Sequence, residues 1–120
     1  MSCTITKKRH NRLTKVSFAC VSAAGGTASG TTTDKFSGEI VRAVFVPGTS
    51  GNQPTDNFDV VINDDDGYDA LAGQGANLSN AAATTKVASM GAVVYDYLSI
   101  AVSNAGDTKQ VTAHIYLLER

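Results

Sequence analysis

The sequence predicts an all-β fold: one domain, an antiparallel β-sandwich or barrel of jelly-roll-like kind, with long loops and a flexible N-terminal arm. Three observations carry this. Apolar and polar residues alternate in at least five separate segments, the period of a strand with one buried face. The intervals between them are dense in Gly, Asn, Asp, Ser and Thr, the residues that make turns. Helical periodicity is hard to find, in a chain rich in Ala, Thr, Gly and Ser and poor in the long straight side chains that favour helices. At 120 residues the chain suits a single hydrophobic core.

The elements follow in order. Residues 1–12 form a basic arm, KKRHNR at its end, in which Lys7, Lys8, Arg9 and Arg12 read as a solvated, flexible tail; residues 13–120 form the domain. In residues 13–22, Val16, Phe18 and Cys20 share one face of a strand, with Lys15, Ser17 and Ala19 on the other. The small residues AAGGTASGTTT, 23–33, predict a flexible turn or wide hairpin loop. Residues 36–46 are a second strand, apolar on both faces, and Pro47 ends it because proline cannot donate to a ladder. Phe58, Val60 and Ile62 then alternate with Asp59, Val61 and Asn63 and lead into the acidic run DDDGYD. Residues 73–91 are low in bulk, and a short helical turn is expected near 69–73 or 81–83. Residues 93–103 and 109–118 are two more strands, joined by N-A-G-D as a hairpin, so that Ile100 and Val102 face Val111, Ala113, Ile115 and Leu117 across the pair.

The acidic run raises the question of a metal. A calcium loop of the pattern D-x-[DN]-x-[DN]-G-x₅-E needs a carboxylate at its first and last positions. Placing its glycine on Gly67 puts Ile62 and Gly73 at those positions, which excludes that motif. A looser set, Asp64, Asp66 and Asp69, is the remaining metal candidate, set against a plain solvated turn. No catalytic motif accompanies it: G-x-S-x-G, C-x-x-C and H-E-x-x-H are all missing, and His10 and His114 have no motif partner. The reading is therefore a non-enzyme without cofactor.

The net charge is −1, but it is segregated, with Lys7 to Lys15 basic and the middle of the chain acidic. Such polarity favours complementary contacts if the two regions reach different surfaces. Nucleic acid is not an expected partner, because no aromatic residues interleave the basic arm. Nor is a membrane, since the longest apolar stretch, 92–102, is broken by Asp96 and is short of the ~20 residues of a spanning helix. Cys3 and Cys20 are able to pair in principle. Without a secretory leader pattern the reduced state is expected, with Cys20 a small core residue and Cys3 in the mobile tail. Besides the arm, Tyr68, Tyr95, Tyr97 and Tyr116 are the interface candidates, tyrosine being a large amphipathic contact residue of low entropy cost.

Three segments in sequence order, SFACVSAAGGTASGTTTDKFSGEIVRAVFVPGTSG, FDVVINDDDGYDALAGQGANLS and LSIAVSNAGDTKQVTAHIYL, resemble a group of small β-rich virion structural proteins of tailed bacteriophages, over residues 17–118. The resemblance implies a capsid decoration or cement protein, stabilising the head shell by repeated surface contacts and bringing no catalytic residues. It implies a virion location after synthesis in the host cytoplasm, the major capsid protein or another virion protein as partner, and a homo-oligomer, by analogy a trimer. A tail or head-to-tail adaptor component is the alternative within the particle. A carbohydrate-binding or adhesion module is the alternative of another class, although the chain lacks the Trp favoured on aromatic platforms.

Overall fold

A computed structural model describes residues 3–119. Nine strands form two antiparallel sheets packed face to face: β1 Cys3–His10, β2 Leu13–Val21, β3 Ala28–Thr31, β4 Phe36–Pro47, β5 Asp59–Asn63, β6 Thr84–Val87, β7 Ala92–Asp96, β8 Ser99–Ser103 and β9 Gln110–Leu118. The larger sheet runs β1-β2-β9-β4, with β6 and β7 sharing the far edge of β4; the smaller runs β3-β8-β5. From β2 to β5, and again from β7 to β9, consecutive strands alternate between the sheets, and the pairs β2·β9, β3·β8 and β4·β7 enclose one another. The innermost pair is β5 with its own return segment. Val60 N–H donates to Gly75 O at 2.7 Å, and Phe58 and Asn63 bridge Leu78 and Asp69. This nesting is a rolled-up long hairpin, a jelly roll with the acidic run at its tip.

Alternation explains the core. The inward residues of β2, β4 and β9, including Phe18, Phe45, Ile115 and Leu117, meet Val60, Ile62, Ile100 and Val102 of the smaller sheet, all essentially inaccessible to solvent. Fully burying each such side chain contributes roughly 1.5–3 kcal/mol. Every buried side-chain polar atom of the described residues has a hydrogen-bond partner.

Five expectations are corrected. Residues 3–10 are not a flexible arm but the edge strand β1, paired with β2 from Cys3↔Cys20 to His10↔Leu13; Met1 and Ser2 of the expected arm lie outside the described residues. The hairpin works because Asn11, in the two-residue turn, takes a left-handed φ of 56° that Asn tolerates. The same register sets Cys3 opposite Cys20 with Cα atoms 4.0 Å apart, and they form a disulfide rather than free thiols. The 23–33 loop contains β3, whose Ala28 is buried. The segments 93–103 and 109–118 do not make a hairpin. The first divides into β7 and β8 in different sheets, and β9 pairs with β2 and β4 instead. Ile100 and Val102 therefore meet the β9 residues across the core rather than along a ladder. Finally, neither place expected for a short helical turn, 69–73 or 81–83, is helical: residues 70–75 form turns, the chain only bends at 81–82, and the single short 3₁₀ turn among the described residues is Ser50–Asn52.

Candidate functional site

At the acidic tip the backbone dictates what the carboxylates do. Asp69 accepts three backbone N–H groups: Ile62 at 3.2 Å and Leu71 at 3.0 Å on Oδ1, Gly73 at 2.9 Å on Oδ2. Asp64 Oδ1 accepts those of Asp66 and Tyr68, each at 3.0 Å. Asp59 takes Asn77 N–H on one oxygen and the Asn104 amide on the other, and Asp56 takes Asn80 N–H. These acids do the work of turn residues, replacing ladder bonds that a curved chain leaves unmade. Of the metal candidates, Asp64 and Asp69 are thus directed at their own backbone. No group of three or more His, Cys, Asp or Glu residues gathers as a metal cluster among the described residues. Asp65 and Asp66 are different. Their side chains are exposed beside Tyr68, which is 72% exposed.

A second surface lies along the free edge formed by β6 and β7. The register of β7 against β4 steps from Gly38↔Val93 to Phe36↔Asp96, so β7 carries one residue more than its partner. This bulge brings consecutive side chains to the surface where alternation alone would turn one inward. Tyr95 takes φ 54° and gives its N–H to Ser37 Oγ at 2.8 Å. As a result Val94 and Tyr95 are 79% and 68% exposed, and Val87 of β6 and Tyr97 join them outside. Lys35 Nζ sits over both rings, 4.7 Å from the centroid of Tyr95 and 5.2 Å from that of Tyr97, within cation–π range.

Beside this corner runs a groove of about 480 Å³, with Gly38, Gly91, Val94 and Leu118 in its apolar lining and Glu39 and Glu119 among its polar groups. It depends on close backbone approach, since a Cβ on Gly38, whose φ is 139°, would lie 2.9 Å from Leu118 O. A smaller depression of about 260 Å³ adjoins it and brings Lys7, Arg9, Lys35 and Tyr95 together. There Arg9 pairs with Glu119 at 2.7 Å and Lys7 pairs with Asp34, both in partly exposed positions.

The third surface is the outer face of the larger sheet. Register places Lys8, Lys15, Tyr116, Arg42 and Val87 in one row across β1, β2, β9, β4 and β6. Arg42 Cζ lies 4.9 Å and Lys15 Nζ 5.8 Å from the Tyr116 ring centroid. In the next row Ser17 Oγ and His114 Nδ1 are 2.7 Å apart. Burial, and secondarily the charge of Lys15, holds the His114 imidazole below its ordinary pKa of 6.5. His10 stands at the exposed end of β1, and Arg12 lies in the turn that follows.

The residues singled out in the sequence therefore fall on three surfaces. Lys7, Arg9, Tyr95 and Tyr97 meet at the edge corner, Lys8 and Tyr116 on the sheet face, and Tyr68 at the acidic tip. Lys35, Arg42, Lys15 and the exposed Val94 were missed. For Lys15 strand parity carried a signal, because it alternates with Val16, Phe18 and Cys20; β4 is apolar on both faces in the sequence, Arg42 turns outward only past a register shift after Ile40, and nothing in the sequence announced that shift or the bulge at Tyr95.

No family model matches the chain, and no curated protein sequence does. Among solved structures, an arabinose-bound GH51 α-L-arabinofuranosidase aligns at TM-score 0.48 and 11% identity, over 96% of this chain and 22% of the enzyme's length. FlhE aligns at TM-score 0.39 and 10% identity, covering 88% and 98%. A cupin domain from Bordetella pertussis aligns at TM-score 0.36 and 14% identity, covering 99% and 95%. Likeness at this level identifies no family.

Proposed function

We propose that this chain is a non-enzymatic structural protein of a tailed-phage particle, a decoration or cement protein that grips the head shell by repeated surface contacts. The observation that carries the reading is the uncovered edge of the larger sheet, where Val94, Tyr95 and Tyr97 are exposed about Lys35 and Val87 is exposed farther along, on β6 opposite Arg42. An exposed edge strand with apolar and aromatic side chains is a template for binding another protein chain, and solitary soluble proteins usually blunt such edges. The sequence resemblance supplies the partner class, the major capsid protein. Modest contacts of this size hold firmly when many copies act on one lattice. A trimer at a local threefold axis is the assembly this role favours, by analogy. The Cys3–Cys20 disulfide suits a particle that leaves the reducing cytoplasm in which its subunits are made.

Shells assembled without this protein provide the test. The purified chain is expected to co-sediment with them at a fixed copy number, and Val94→Asp with Tyr95→Ala to lower its affinity at least about tenfold while leaving the melting temperature unchanged. Failure to bind shells would reject the decoration role, and binding confined to tails would move the protein to the tail or head-to-tail junction. One observation favours a glycan-binding reading second: Tyr95 borders a depression lined by Arg9, Ser37 and Glu119, polar groups able to meet sugar hydroxyls. Saturable glycan binding abolished by Tyr95→Ala, with no binding to shells, would establish it.

A further inference from the structure

We propose that the outer face of the larger sheet receives the acidic tip of a second copy of this chain, so that subunits join face to tip. The receiving surface is the row Lys8, Lys15, Tyr116 and Arg42, three cations spread over four adjacent strands around one aromatic ring. With neighbouring strands ~4.8 Å apart, the row spans about 14 Å, the width of a protruding hairpin turn and its side chains. One carboxylate belongs to the same face among the described residues. It is Glu39, which stands nearer the end of the sheet, paired in register with Leu118, and accepts the Ser89 hydroxyl.

The occupant is identified by what its acids do. Asp64 and Asp69 hold the tip in shape by accepting backbone N–H groups. That leaves Asp65 and Asp66 exposed, next to the protruding ring of Tyr68, on a turn already fixed in conformation. Such preorganisation lowers the entropy lost on docking. Among the described residues, the ion pairs Lys7–Asp34 and Arg9–Glu119 involve neither the tip nor the row.

A subunit cannot close this contact on itself. The tip extends from β5 in the smaller sheet, whereas the cationic row lies on the side of the larger sheet that faces away from it. Opposite charges placed on different layers of a molecule with net charge −1 are complementary between copies. The contact is heterologous, one face and one tip per subunit, and so propagates into a ring or a chain. It rests on the sheet face and the tip alone and does not require that the protein belong to a particle.

The test uses the full chain in sedimentation velocity. The wild type is expected to associate at ~0.02 M salt and to dissociate by ~0.5 M, since screening removes exposed charge contacts. Lys15→Glu with Arg42→Glu makes the face acidic, and Asp65→Lys with Asp66→Lys makes the tip basic. Each variant alone should be monomeric, and an equimolar mixture should associate again, because both contacts between the two variants are then complementary. The neutral variants Lys15→Gln/Arg42→Gln and Asp65→Asn/Asp66→Asn, expected to retain the wild-type melting temperature, should each weaken self-association about tenfold, and mixing them should restore one contact, the intact tip of the first on the intact face of the second, so that association stops at pairs. A wild type that stays monomeric at ~1 mM in low salt, association that survives both reversals, or a folded mixture that remains monomeric would each overturn the proposal. Heparin or nucleic-acid binding lost in the face variant, from a wild type that does not self-associate, would assign the face to an anionic polymer instead.

Discussion

Ser17 and His114 meet side chain to side chain at 2.7 Å although 97 residues separate them in sequence. They stand opposite each other on β2 and β9, the outermost nested pair of the roll, and Lys15 lies one row away on the same face. Their contact ties the beginning of the domain to its end, and burial there, with the charge of Lys15 second, lowers the pKa of the only half-buried imidazole among the described residues.

His114 predicts a pH dependence. Its folded pKa is below 6.5, so between that lower value and 6.5 the unfolded chain binds more protons than the folded one. Stability therefore rises with pH in that window; it is fully present above pH 6.5 and declines as pH falls toward the folded value. Denaturant midpoints measured across this range should fall on acidification for the wild type, and His114→Gln should flatten the slope there.

The acids of the tip should separate into two kinds. Asp69→Ala removes an acceptor from three backbone N–H groups and is expected to cost about 2–3 kcal/mol. Asp65→Ala, at an exposed position without such a duty, should stay within about 0.5 kcal/mol of wild type. Urea unfolding of the two variants decides it, and equal effects would contradict the assigned roles.

Reduction should be felt at the edge of the sheet. The disulfide closes a sequence separation of 17 residues, for which the chain-entropy model gives about 3 kcal/mol. Cys3→Ser with Cys20→Ser, or added reductant, should lower stability by roughly 2–3 kcal/mol and raise amide exchange in β1 before β2, β4 or β9.

Gly75 lies where the return segment touches β5. A Cβ there would be 2.1 Å from Val60 O, and the backbone is the obstacle. Gly75→Ala should cost about 3 kcal/mol in thermal or denaturant unfolding, whereas Gly51→Ala, with open space around its Cβ, should change little.

How far the sequence reveals all this depends on the length scale of each signal. Alternation in Val16-Phe18-Cys20, Phe58-Val60-Ile62 and Val111-Ala113-Ile115-Leu117 exposes both strand and buried face, and D-D-G marks the turn. Alternation says nothing about which sheet a strand joins, which is why 93–103 and 109–118 read as a hairpin although they lie in different sheets. β1 was hidden because, as an edge strand, it needs only Cys3 and Ile5 against the core, and KKRHNR looks like solvated charge. β3, ASGT, has little bulk to bury. The disulfide, the cationic row and the exposed Tyr95 all require cross-strand register, a property of pairs of distant residues rather than of any window.

The nesting of strands also orders the events of folding. Closing β2 on β9 directly would bring together residues about a hundred positions apart, an entropic cost that grows with the enclosed loop. Formation of the turn at Asp64–Asp69 and the pairing of β5 with its return segment shorten the loop that β4 and β7 must close, and each later pair inherits the same advantage. The chain is thus expected to zip from its middle toward its ends, at the modest speed of a topology dominated by distant contacts. Asp69 substitutions would then slow folding, while loss of the Cys3–Cys20 link would chiefly hasten unfolding. On this account the acidic run is the place where the roll begins.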